Sequence, residues 1–505
     1  MYSVFDEGPF PACPAQFNLA AYVLARAGDL PEKDALVLSG PEGNVSWTYA
    51  ALQRAVLGTA TGLLRAGLQN GDRLLIRLGN SVDFPIVFLG AIAAGIVPVP
   101  TSSQLTAPEV DAQIDILQPT AILHAPQVAC PAHSNIIPVQ DAQHWRGFKP
   151  ATPPLGDPNR LAYIVFTSGT AGEPKAVAHA HRAIWARRMM IDDWAGLRES
   201  DRLMHAGAFN WTYTLGTGLL DPWVSGATAL IPQEGVKPDE LMTLLGRTNA
   251  TIFASSPGVY RKVLKQSDKI DLPHLRHGLS AGEKLAPETA ARWRTATGTE
   301  IFEAYGLSEC STFISGAPGR PATPDALGRP QRGRRVALMD KTGPVPLGAP
   351  GTIALHKDDP GLMLGYLNAP AETAARFHGD WFLTGDQAIA DNQFQLTYLG
   401  RSDDLINAGG LRVSPLEIEK VLLEVPGVTG AAAVEARLRS DTSVIAAFYT
   451  APTPVDDSTF EGYVTQKLAR FKHPRLYIHL ADLPTGANGK IMRRRLRARF
   501  EDQDD

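Results

Sequence analysis

The sequence YIVFTSGTAGEPK, residues 163–175, joins an apolar run to a loop rich in glycine and hydroxyl groups. The β-branched and aromatic residues from Tyr163 to Thr167 predict a buried strand. Because Gly169 and Gly172 carry no Cβ, backbone N–H groups of the loop can come close to phosphate oxygens. Further donors are supplied by four side chains: Thr167, Ser168, Thr170 and Lys175. The stretch therefore predicts a strand that ends in a phosphate-binding loop.

This loop does not have the spacing of the common nucleotide-binding motif GxxxxGK[ST]. Lys175 is the third residue after Gly172, and Ala176 rather than serine or threonine follows it. Taken alone, a loop of this composition is as often an ordinary turn as a phosphate site. Other segments of the chain have to distinguish the two interpretations.

Strand-like and helical patterns alternate on both sides of this loop. The strand-like runs are residues 35–38, 74–78, 120–123, 162–167, 227–231, 251–254 and 275–280. Such alternation predicts an α/β protein of layered, mostly parallel sheets. The uncharged segment 84–100 is interrupted by Pro85, Gly90, Gly95 and Pro98 and is marginal in length for a membrane span. It fits better a buried helix and a strand within a βαβ unit.

The character of the sequence changes twice in the second half. After about residue 318, short segments with closely spaced turns predict a small antiparallel or barrel-like portion. From residue 414 a mixed order of helices and strands predicts a small α+β unit. We therefore expect two domains, residues 1–402 and 403–505, joined at the charged run Gly400–Asp404.

Composition and charge exclude several classes of protein. The 505 residues include 48 Lys and Arg against 52 Asp and Glu, and the net charge of -4 does not favour a nucleic-acid partner. The three cysteines, Cys13, Cys130 and Cys310, form no CxxC pair, so neither a disulfide framework nor a zinc site is predicted. With an acidic N-terminus that lacks a signal-peptide pattern, the sequence predicts a cytoplasmic protein without a membrane partner.

Six further segments combine glycine with charged or hydroxyl residues. They are Ser280–Glu283 (SAGE), Tyr305–Glu309 (YGLSE), Thr384–Asp386 (TGD), Gly400–Ile406 (GRSDDLI), Gly409–Val413 (GGLRV) and Gly489–Ile491 (GKI). Their order and spacing resemble the AMP-forming adenylating superfamily, which includes acyl- and aryl-CoA synthetases, peptide-synthetase adenylation domains and firefly luciferase. The resemblance extends from about residue 20 to 497. It implies a large N-terminal domain of layered α/β sheets with a small β-barrel, and a mobile C-terminal α+β lid.

The resemblance implies a nucleotide site with named residues. The expected ATP and AMP ligands are Thr167, Ser168, Gly169, Thr170, Gly172, Lys175, Ala281, Gly282, Glu283, Tyr305, Gly306, Asp386 and Arg401. Tyr305 would be the platform for adenine, and Ser308 retains the hydroxyl of the family's usual threonine. Glu309, with Thr170, would ligate the Mg²⁺ that accompanies the phosphates, since hard oxygen ligands suit this cation. Ala171 and Ala176 depart from the family pattern, and we expect weakened rather than lost phosphate contacts.

The later motifs imply the remaining parts of the reaction. Asp386 offers a carboxylate to two ribose hydroxyls, and Arg401 would join it there. Asp403 matches the family's hinge. Gly409 and Gly410 resemble the segment that lines the channel for the pantetheine arm of CoA. The ammonium of Lys490 could neutralise charge as the carboxylate attacks the α-phosphate, which makes Lys490, Glu309 and Ser308 the expected catalytic residues.

The acid pocket is expected near Phe209, Asn210, Trp211 and Leu307. The resemblance implies that an enzyme for α-amino acids would carry an aspartate in this segment, as peptide-synthetase adenylation domains do, to hold the substrate's α-ammonium. No acidic residue lies between Arg202 and Leu220, so an α-amino acid is disfavoured. The bulky aromatics of this segment resemble benzoate-type and medium-chain acyl-CoA ligases, and they favour an aromatic or short-to-medium acid. The same aromatics could belong to the core.

The prediction is therefore an AMP-forming acid:CoA ligase that uses ATP, Mg²⁺ and CoA. Two alternatives stay open: an enzyme that loads a separate carrier protein, and a non-catalytic nucleotide-binding sensor. Intact Lys490, Glu309 and Asp386 argue against the sensor. His179, His181 and His205 are candidate bases, but the carboxylate needs no base to attack ATP. His179 and His181, just past the phosphate loop, are expected to cap or pack. The sequence leaves open whether the chain forms a homodimer.

Overall fold

The structure is a computed structural model that describes residues 1–168, 174–237, 239–266, 269–401, 404, 406–408, 411–439, 442–468, 470–486 and 490–501. It divides into two units, which are described separately. The large unit comprises Phe5–Arg335 and Leu355–Phe382, and the small unit comprises Met1–Val4, Val336–Ala354 and Leu383–Asp505. The sequence predicts a domain boundary between residues 402 and 403, at the position of the family's hinge. That boundary stays a prediction.

The strands are numbered in chain order. They are β1 (Val4–Asp6), β2 (Asp34–Gly40), β3 (Gly43–Thr48), β4 (Arg73–Arg77), β5 (Val97–Pro100), β6 (Ala121–His124), β7 (Ile136–Pro138), β8 (Leu161–Ser168), β9 (Pro174–Ala180), β10 (Arg202–His205), β11 (Thr228–Pro232), β12 (Ile252–Ser255), β13 (His277–Ala281), β14 (Ile301–Leu307), β15 (Ser311–Ser315), β16 (Arg329–Pro330), β17 (Arg335–Met339), β18 (Pro350–His356), β19 (Gly365–Tyr366), β20 (Phe377–His378), β21 (Trp381–Ala390), β22 (Leu396–Arg401), β23 (Ile406–Ala408), β24 (Leu411–Val413), β25 (Gly430–Arg439), β26 (Thr442–Thr450) and β27 (Leu476–His479).

The α-helices are numbered in the same way. They are α1 (Leu19–Val23), α2 (Tyr49–Arg65), α3 (Asp83–Ala93), α4 (Ala107–Leu117), α5 (Val139–Trp145), α6 (Ala183–Ala186), α7 (Arg188–Met190), α8 (Asp221–Ser225), α9 (Leu241–Arg247), α10 (Pro257–Leu264), α11 (Pro287–Thr297), α12 (Pro370–Ala375), α13 (Pro415–Leu422), α14 (Asp457–Lys467) and α15 (Arg493–Glu501). Two π-helical turns, Ile191–Ala195 and Thr214–Leu220, and two 3₁₀ turns, Ala25–Ala27 and Arg470–Lys472, complete the set of described helices.

A nine-stranded sheet forms the centre of the large unit. Its strand order is β16-β15-β14-β13-β12-β10-β11-β2-β3. The six strands from β14 to β2 in this order run parallel, and β15, β16 and β3 run antiparallel to their neighbours. Successive residues alternate between two apolar clusters: Leu203 and Ile252 pack in one, Met204 and Phe253 in the other. The parallel strands are thus buried on both faces, which agrees with their continuous apolar sequences.

The uncharged segment after residue 83 is confirmed as part of a βαβ unit. β4 and β5 pair in parallel, and α3 lies between them in the chain. All eleven residues of α3 are buried, as expected of a helix that is apolar on every side. Within the described ranges, no helix has the length and hydropathy that crossing a membrane requires.

The short strands that the sequence predicts after residue 318 are divided between the units. β16, β19 and β20 belong to the large unit, and the small unit contains β22 and most of β17, β18 and β21, together with the C-terminal α+β portion. The C-terminal order of helix, two strands, helix and strand is confirmed by α13, β25, β26, α14 and β27. β25 and β26 pair antiparallel, and β27 joins β26 in parallel. The α/β fold class, with several sheets, is likewise confirmed.

Candidate functional site

The carboxyl end of the central sheet gathers several predicted site segments. Residues 281–283 lie at the end of β13 and just after it, and residues 305–309 lie in the same way at the end of β14. Residues 209–211 come after the end of β10. Because these strands are parallel, with Ala281 paired to Ala304, their carboxyl ends meet at one edge. Ligands of open α/β sheets bind at this edge.

A partly buried ion pair fixes the loop after β13 to the neighbouring strand. Nζ of Lys284 lies 2.8 Å from Oε2 of Glu303 on β14, and the N–H of Leu285 donates to Oε1 of the same carboxylate at 2.8 Å. Burial raises the pKa of Glu303, although Lys284 opposes this effect. These contacts hold Gly282 and Glu283 at the sheet edge, where Glu283 also lies 3.8 Å from Arg261.

Trp211 packs directly over Gly282. A Cβ atom at position 282 would lie 2.7 Å from Cζ2 of the indole, and Gly282 has φ of +97°. Both the close approach and the left-handed backbone require glycine. The predicted acid-pocket residue and the predicted nucleotide-site residue are therefore neighbours.

The YGLSE segment adopts a local irregularity that its glycine permits. The pairing of β14 with β15 shifts register between Tyr305 and Gly306. A Cβ on Gly306 would lie 2.2 Å from the carbonyl oxygen of Ser311, so only glycine fits. The ring of Tyr305 meets Phe313 edge to face at 5.4 Å. This register shift is a β-bulge, and it changes the direction of the chain that leads to Ser308 and Glu309.

The phosphate-loop segment forms an antiparallel hairpin of β8 and β9. Thr167 pairs with Lys175, so both predicted ligands lie near the ends of the paired strands, next to residues 169–173. Gly169, Thr170 and Gly172 lie outside the described residues, as does the side chain of Ser168. Their roles stay predictions.

His179 joins this hairpin to the YGLSE segment. Its Nε2–H donates to the carbonyl oxygen of Ser308 at 2.8 Å, and its ring stacks on Tyr163 at 4.9 Å. Burial lowers the pKa of His179 to about 4, so the imidazole is neutral near pH 7. Burial also lowers the pKa of His181 and of His205 to about 3. All three are packed, neutral side chains.

Tyr366, which the sequence analysis missed, links two predicted ligands. Its hydroxyl donates to Oε1 of Glu309 at 2.7 Å, and Nζ of Lys175 lies 5.1 Å from its ring centroid. Burial, and then the charge of Glu309, raise the pKa of Tyr366, so the phenol keeps its proton. Lys175 also forms an ion pair with Glu372. The chain therefore places a cation, a phenol and two carboxylates together.

The signal for Tyr366 is not local. Tyr366 pairs with Val177, two residues beyond Lys175 on β9, although the two are far apart in sequence. Such a contact depends on the pairing of β19 with β9, which a sequence pattern of two residues cannot predict.

Glu309 fits a magnesium ion that arrives with ATP. Among the described residues, no group of three His, Cys, Asp or Glu side chains could hold a metal by itself. Mg²⁺, however, is usually bound by one or two carboxylates together with phosphate oxygens and water. The hydrogen bond from Tyr366 engages Oε1, and the carboxylate has a second oxygen that can ligate a cation.

The small unit contains the predicted ribose residues. Asp386 on β21 pairs directly with Arg401 on β22. The hydroxyl of Tyr398 donates to Oδ1 of Asp386 at 2.9 Å, and the N–H of Asp386 donates to Oγ1 of Thr384 at 3.1 Å. Tyr398 is a second residue that the sequence analysis missed. Asp403, Gly409 and Gly410 lie outside the described residues, and their roles stay predictions.

Lys490, in the same unit, lies next to residues 487–489, which are outside the described residues. Backbone hydrogen bonds join residues 484–486 to residues 490–492, and we call these two segments the Lys490 turn. The N–H of Gly486 donates to the carbonyl oxygen of Lys490, and the N–H of Met492 donates to that of Pro484, each at 2.8 Å. The side chain of Lys490 is exposed. The turn thus presents a flexible ammonium on an ordered base.

The four predicted acid-pocket residues differ in burial. Trp211, Asn210 and Leu307 are half-buried at the sheet edge. Phe209 is buried, and its ring packs against Phe84 at 5.4 Å. Its N–H donates to Oδ1 of Asn80 at 2.9 Å. Phe209 therefore anchors the segment, and its part in the pocket stays a prediction.

Comparison with known proteins gives consistent matches over nearly the whole chain. Residues 24–367 match the AMP-binding enzyme family, and residues 417–490 match the AMP-binding enzyme C-terminal domain. The mitochondrial acyl-coenzyme A synthetase ACSM2 of Rattus norvegicus is 29% identical over 96% of this chain and 92% of its own.

Two solved structures share the architecture. The anthranilate CoA ligase AuaEII in complex with anthranoyl-AMP has a TM-score of 0.87 at 25% identity, covering 97% of this chain and 98% of its own. A benzoate CoA ligase from Burkholderia xenovorans LB400 has a TM-score of 0.84 at 26% identity, covering 95% of this chain and 100% of its own.

Proposed function

The chain belongs to the AMP-binding enzyme family, and from this premise we propose which acid it activates and which residues do so. It is an AMP-forming acid:CoA ligase. The acid attacks the α-phosphate of ATP, pyrophosphate leaves, and the acyl-adenylate then passes its acyl group to the thiol of CoA. We propose an aromatic or short-to-medium-chain acid as the substrate.

The contact of Glu309, Tyr366 and Lys175 is the observation that carries the proposed nucleotide site. It joins a potential cation ligand to a lysine that follows the phosphate loop. When bound, Mg²⁺ withdraws charge from phosphate oxygens. Lys175 contributes a second positive charge, and Tyr366 orients the carboxylate of Glu309. Thr167, Ser168, Gly169, Thr170 and Gly172 are proposed to surround the phosphates.

Adenine and ribose are proposed to bind separate groups of residues. Ala281, Gly282, Glu283, Tyr305 and Gly306 would hold the base at the sheet edge, and Asp386 and Arg401 would bind the ribose. Hydrogen bonding from Tyr398 keeps the acceptor of Asp386 oriented. Lys490 is proposed to stabilise the negative charge that develops during adenylation. Asp403 is proposed as the hinge, and Gly409 and Gly410 as the channel for CoA.

The packing of Trp211 on Gly282 supports a short pocket. An indole at this place occupies volume that a long alkyl chain would need. Asn210 and Leu307 lie at the same sheet edge and bring no charge to it. Two similar structures are a benzoate CoA ligase and an anthranilate CoA ligase, and both acids are aromatic. This agreement favours an aromatic or short-to-medium acid.

The cytoplasm is the proposed location, because all three cysteines are free thiols.

We propose that the partners are the acid, ATP and CoA, with neither nucleic acid nor a membrane. Light scattering on the purified chain distinguishes a monomer from a homodimer.

The test measures pyrophosphate release with Mg·ATP across benzoates, phenylpropanoids and C2 to C12 acids. Each acid is assayed with and without CoA, and thioester is identified by mass spectrometry. Release coupled to a CoA thioester for an aromatic or short-to-medium acid is the expected result. Release without thioester would indicate a carrier-protein acceptor. Nucleotide binding without release for any acid would favour a sensor and contradict the proposal.

A further inference from the structure

Arg493 begins α15 and comes three residues after Lys490. Its Nη2 lies 2.8 Å from each carboxylate oxygen of Glu419 on α13. Oε1 of Glu419 also accepts a 2.8 Å hydrogen bond from the N–H of Ala433 on β25. Glu419 is only 6% exposed. A forked, charge-assisted contact of this kind fixes direction as well as distance.

A second acidic residue completes the cluster. Oδ2 of Asp404 lies 3.9 Å from Nη1 of Arg493, and Oδ1 accepts a 2.7 Å hydrogen bond from Nη2 of Arg497. Burial alone would lower the pKa of Arg493, but the charge and hydrogen bonds of Glu419 outweigh it, and the pKa is raised. Arg493 is therefore a fixed cation held between two acids.

The same cation acts on the ribose side of the proposed site. Arg493 and Tyr398 interact electrostatically, and Tyr398 donates to Asp386. Arg493, the first residue of the helix that follows the Lys490 turn, therefore lies within electrostatic range of the tyrosine that orients the proposed ribose ligand.

Two kinds of contact already hold the Lys490 turn. Backbone hydrogen bonds close its base, and Leu483 and Ile491 pack against the apolar cluster of β25 and β26. Apolar packing of this kind is non-directional. The lysine side chain is long and flexible, so the position of its ammonium depends on where that base is held. Arg493 comes soon after the turn and makes a bidentate, directional contact to the buried carboxylate of Glu419 on another element.

We propose that Arg493, held by Glu419 and Asp404, is the positioning residue for Lys490 in adenylation. This inference rests on the proposed function of Lys490. Arg493 does not itself touch substrate, because its guanidinium is already engaged by two carboxylates. Its role is to fix the turn so that the ammonium reaches the reacting phosphate. Transfer of the acyl group to CoA, which comes after that step, does not depend on it.

The test compares R493K with R494K, the same substitution at the adjacent exposed arginine. R493K retains the positive charge but loses the bidentate hydrogen bonding of the guanidinium to Glu419. Its adenylation rate constant should fall about tenfold to a hundredfold, since small displacements of a catalytic group have effects of this size. The KM for ATP and thioester formation from synthetic acyl-adenylate should stay unchanged. R494K should behave as wild type.

Hydrogen exchange gives a readout independent of activity. R493K should speed amide exchange in the peptide 484–492 and leave the peptides of β25 and β26 unchanged. Exchange that rises throughout the small unit would show a merely structural role and overturn the proposal. If R493K does not fold, E419Q is tested instead, because its side-chain oxygen can still accept from the N–H of Ala433. Faster exchange confined to the peptide 484–492 is again expected.

The outcomes separate this inference from the proposed function. If wild type releases no pyrophosphate with any acid, the proposed function fails, and the role of Arg493 in adenylation falls with it. Faster exchange confined to 484–492 in R493K would then show only that Arg493 holds the turn. If wild type is active and R493K equals R494K, the inference fails and the ligase assignment stands. An equal loss of rate in adenylation and in thioester formation by R493K would also overturn the inference.

Discussion

The hydroxyl of Tyr366 donates a 2.7 Å hydrogen bond to Glu309, and the ring of the same tyrosine lies 5.1 Å from Nζ of Lys175. One side chain thus contacts both charges that we propose to act on the phosphates. A hydrogen bond to a carboxylate orients it, and a ring face attracts a cation. The two effects can be separated by removing the hydroxyl and retaining the ring.

Tyr366→Phe should raise the magnesium concentration needed for half-maximal pyrophosphate release by about tenfold, because a hydrogen bond to a charged group contributes about 1.5–3 kcal/mol. The effect on the KM for the acid should be small. Calorimetric titration of Mg·ATP without acid should show the same weakening. Unchanged magnesium dependence in both measurements would contradict the orienting role of Tyr366.

Glu372→Gln should tighten ATP binding, because it releases Lys175 from a competing ion pair. The expected gain is small, up to about fivefold, since partly exposed ion pairs contribute about 0–1 kcal/mol. The control is Asp380→Asn, which removes an exposed partner of Lys357 at 2.8 Å in the same unit and should leave ATP affinity unchanged. Weaker binding in the Glu372 variant would show that Glu372 assists the nucleotide.

Lys490→Ala should lower adenylation by about a hundredfold to a thousandfold, the usual effect of losing one group that stabilises transition-state charge. Thioester formation from preformed acyl-adenylate should continue. Lys175→Ala should instead raise the KM for ATP. Rapid-quench assays of the two half-reactions measure this difference, and normal adenylation by the Lys490 variant would refute its catalytic role.

The sequence predicts the class of fold and the location of most site segments for a physical reason. Apolar runs such as residues 251–254 are strands because they are buried on both faces, and the residues after parallel strands meet at one edge. The roles of Tyr366 and Tyr398 could not be predicted in this way. Tyr366 reaches Glu309 only through the pairing of β19 with β9, and Tyr398 reaches Asp386 only through the bulged pairing of β21 with β22.

Because His179 is buried in its neutral form, we expect the free energy of unfolding to fall in acid. The pKa of His179 is about 4 in the folded chain, below the value of about 6.5 expected when unfolded. Between these values the unfolded chain binds the extra proton, so stability falls as pH falls from 6.5 to 4. His179→Gln should reduce the loss between pH 7 and pH 5 by roughly 2 kcal/mol. Urea unfolding at both pH values measures it.

The control for this effect is His378→Gln, which replaces an exposed histidine of the large unit. Its acid sensitivity should equal that of wild type. An unchanged pH dependence in the His179 variant would mean that His179 titrates alike in both states. Because the glutamine of that variant retains an N–H donor for the carbonyl of Ser308, activity near pH 7 should change little.

The contact of Trp211 with Gly282 predicts how substrate length is set. Trp211→Ala removes the indole that lies where a Cβ on Gly282 would clash at 2.7 Å. The ratio of kcat/KM for C8–C12 acids over benzoate should rise by about tenfold or more, since hydrophobic pockets discriminate about 10–200-fold per methylene. Trp185→Ala, at a tryptophan packed on Phe17 at 6.1 Å, is the control and should leave the ratio unchanged. If the Trp211 variant loses activity equally on all acids, the indole supports the sheet edge and does not limit the pocket.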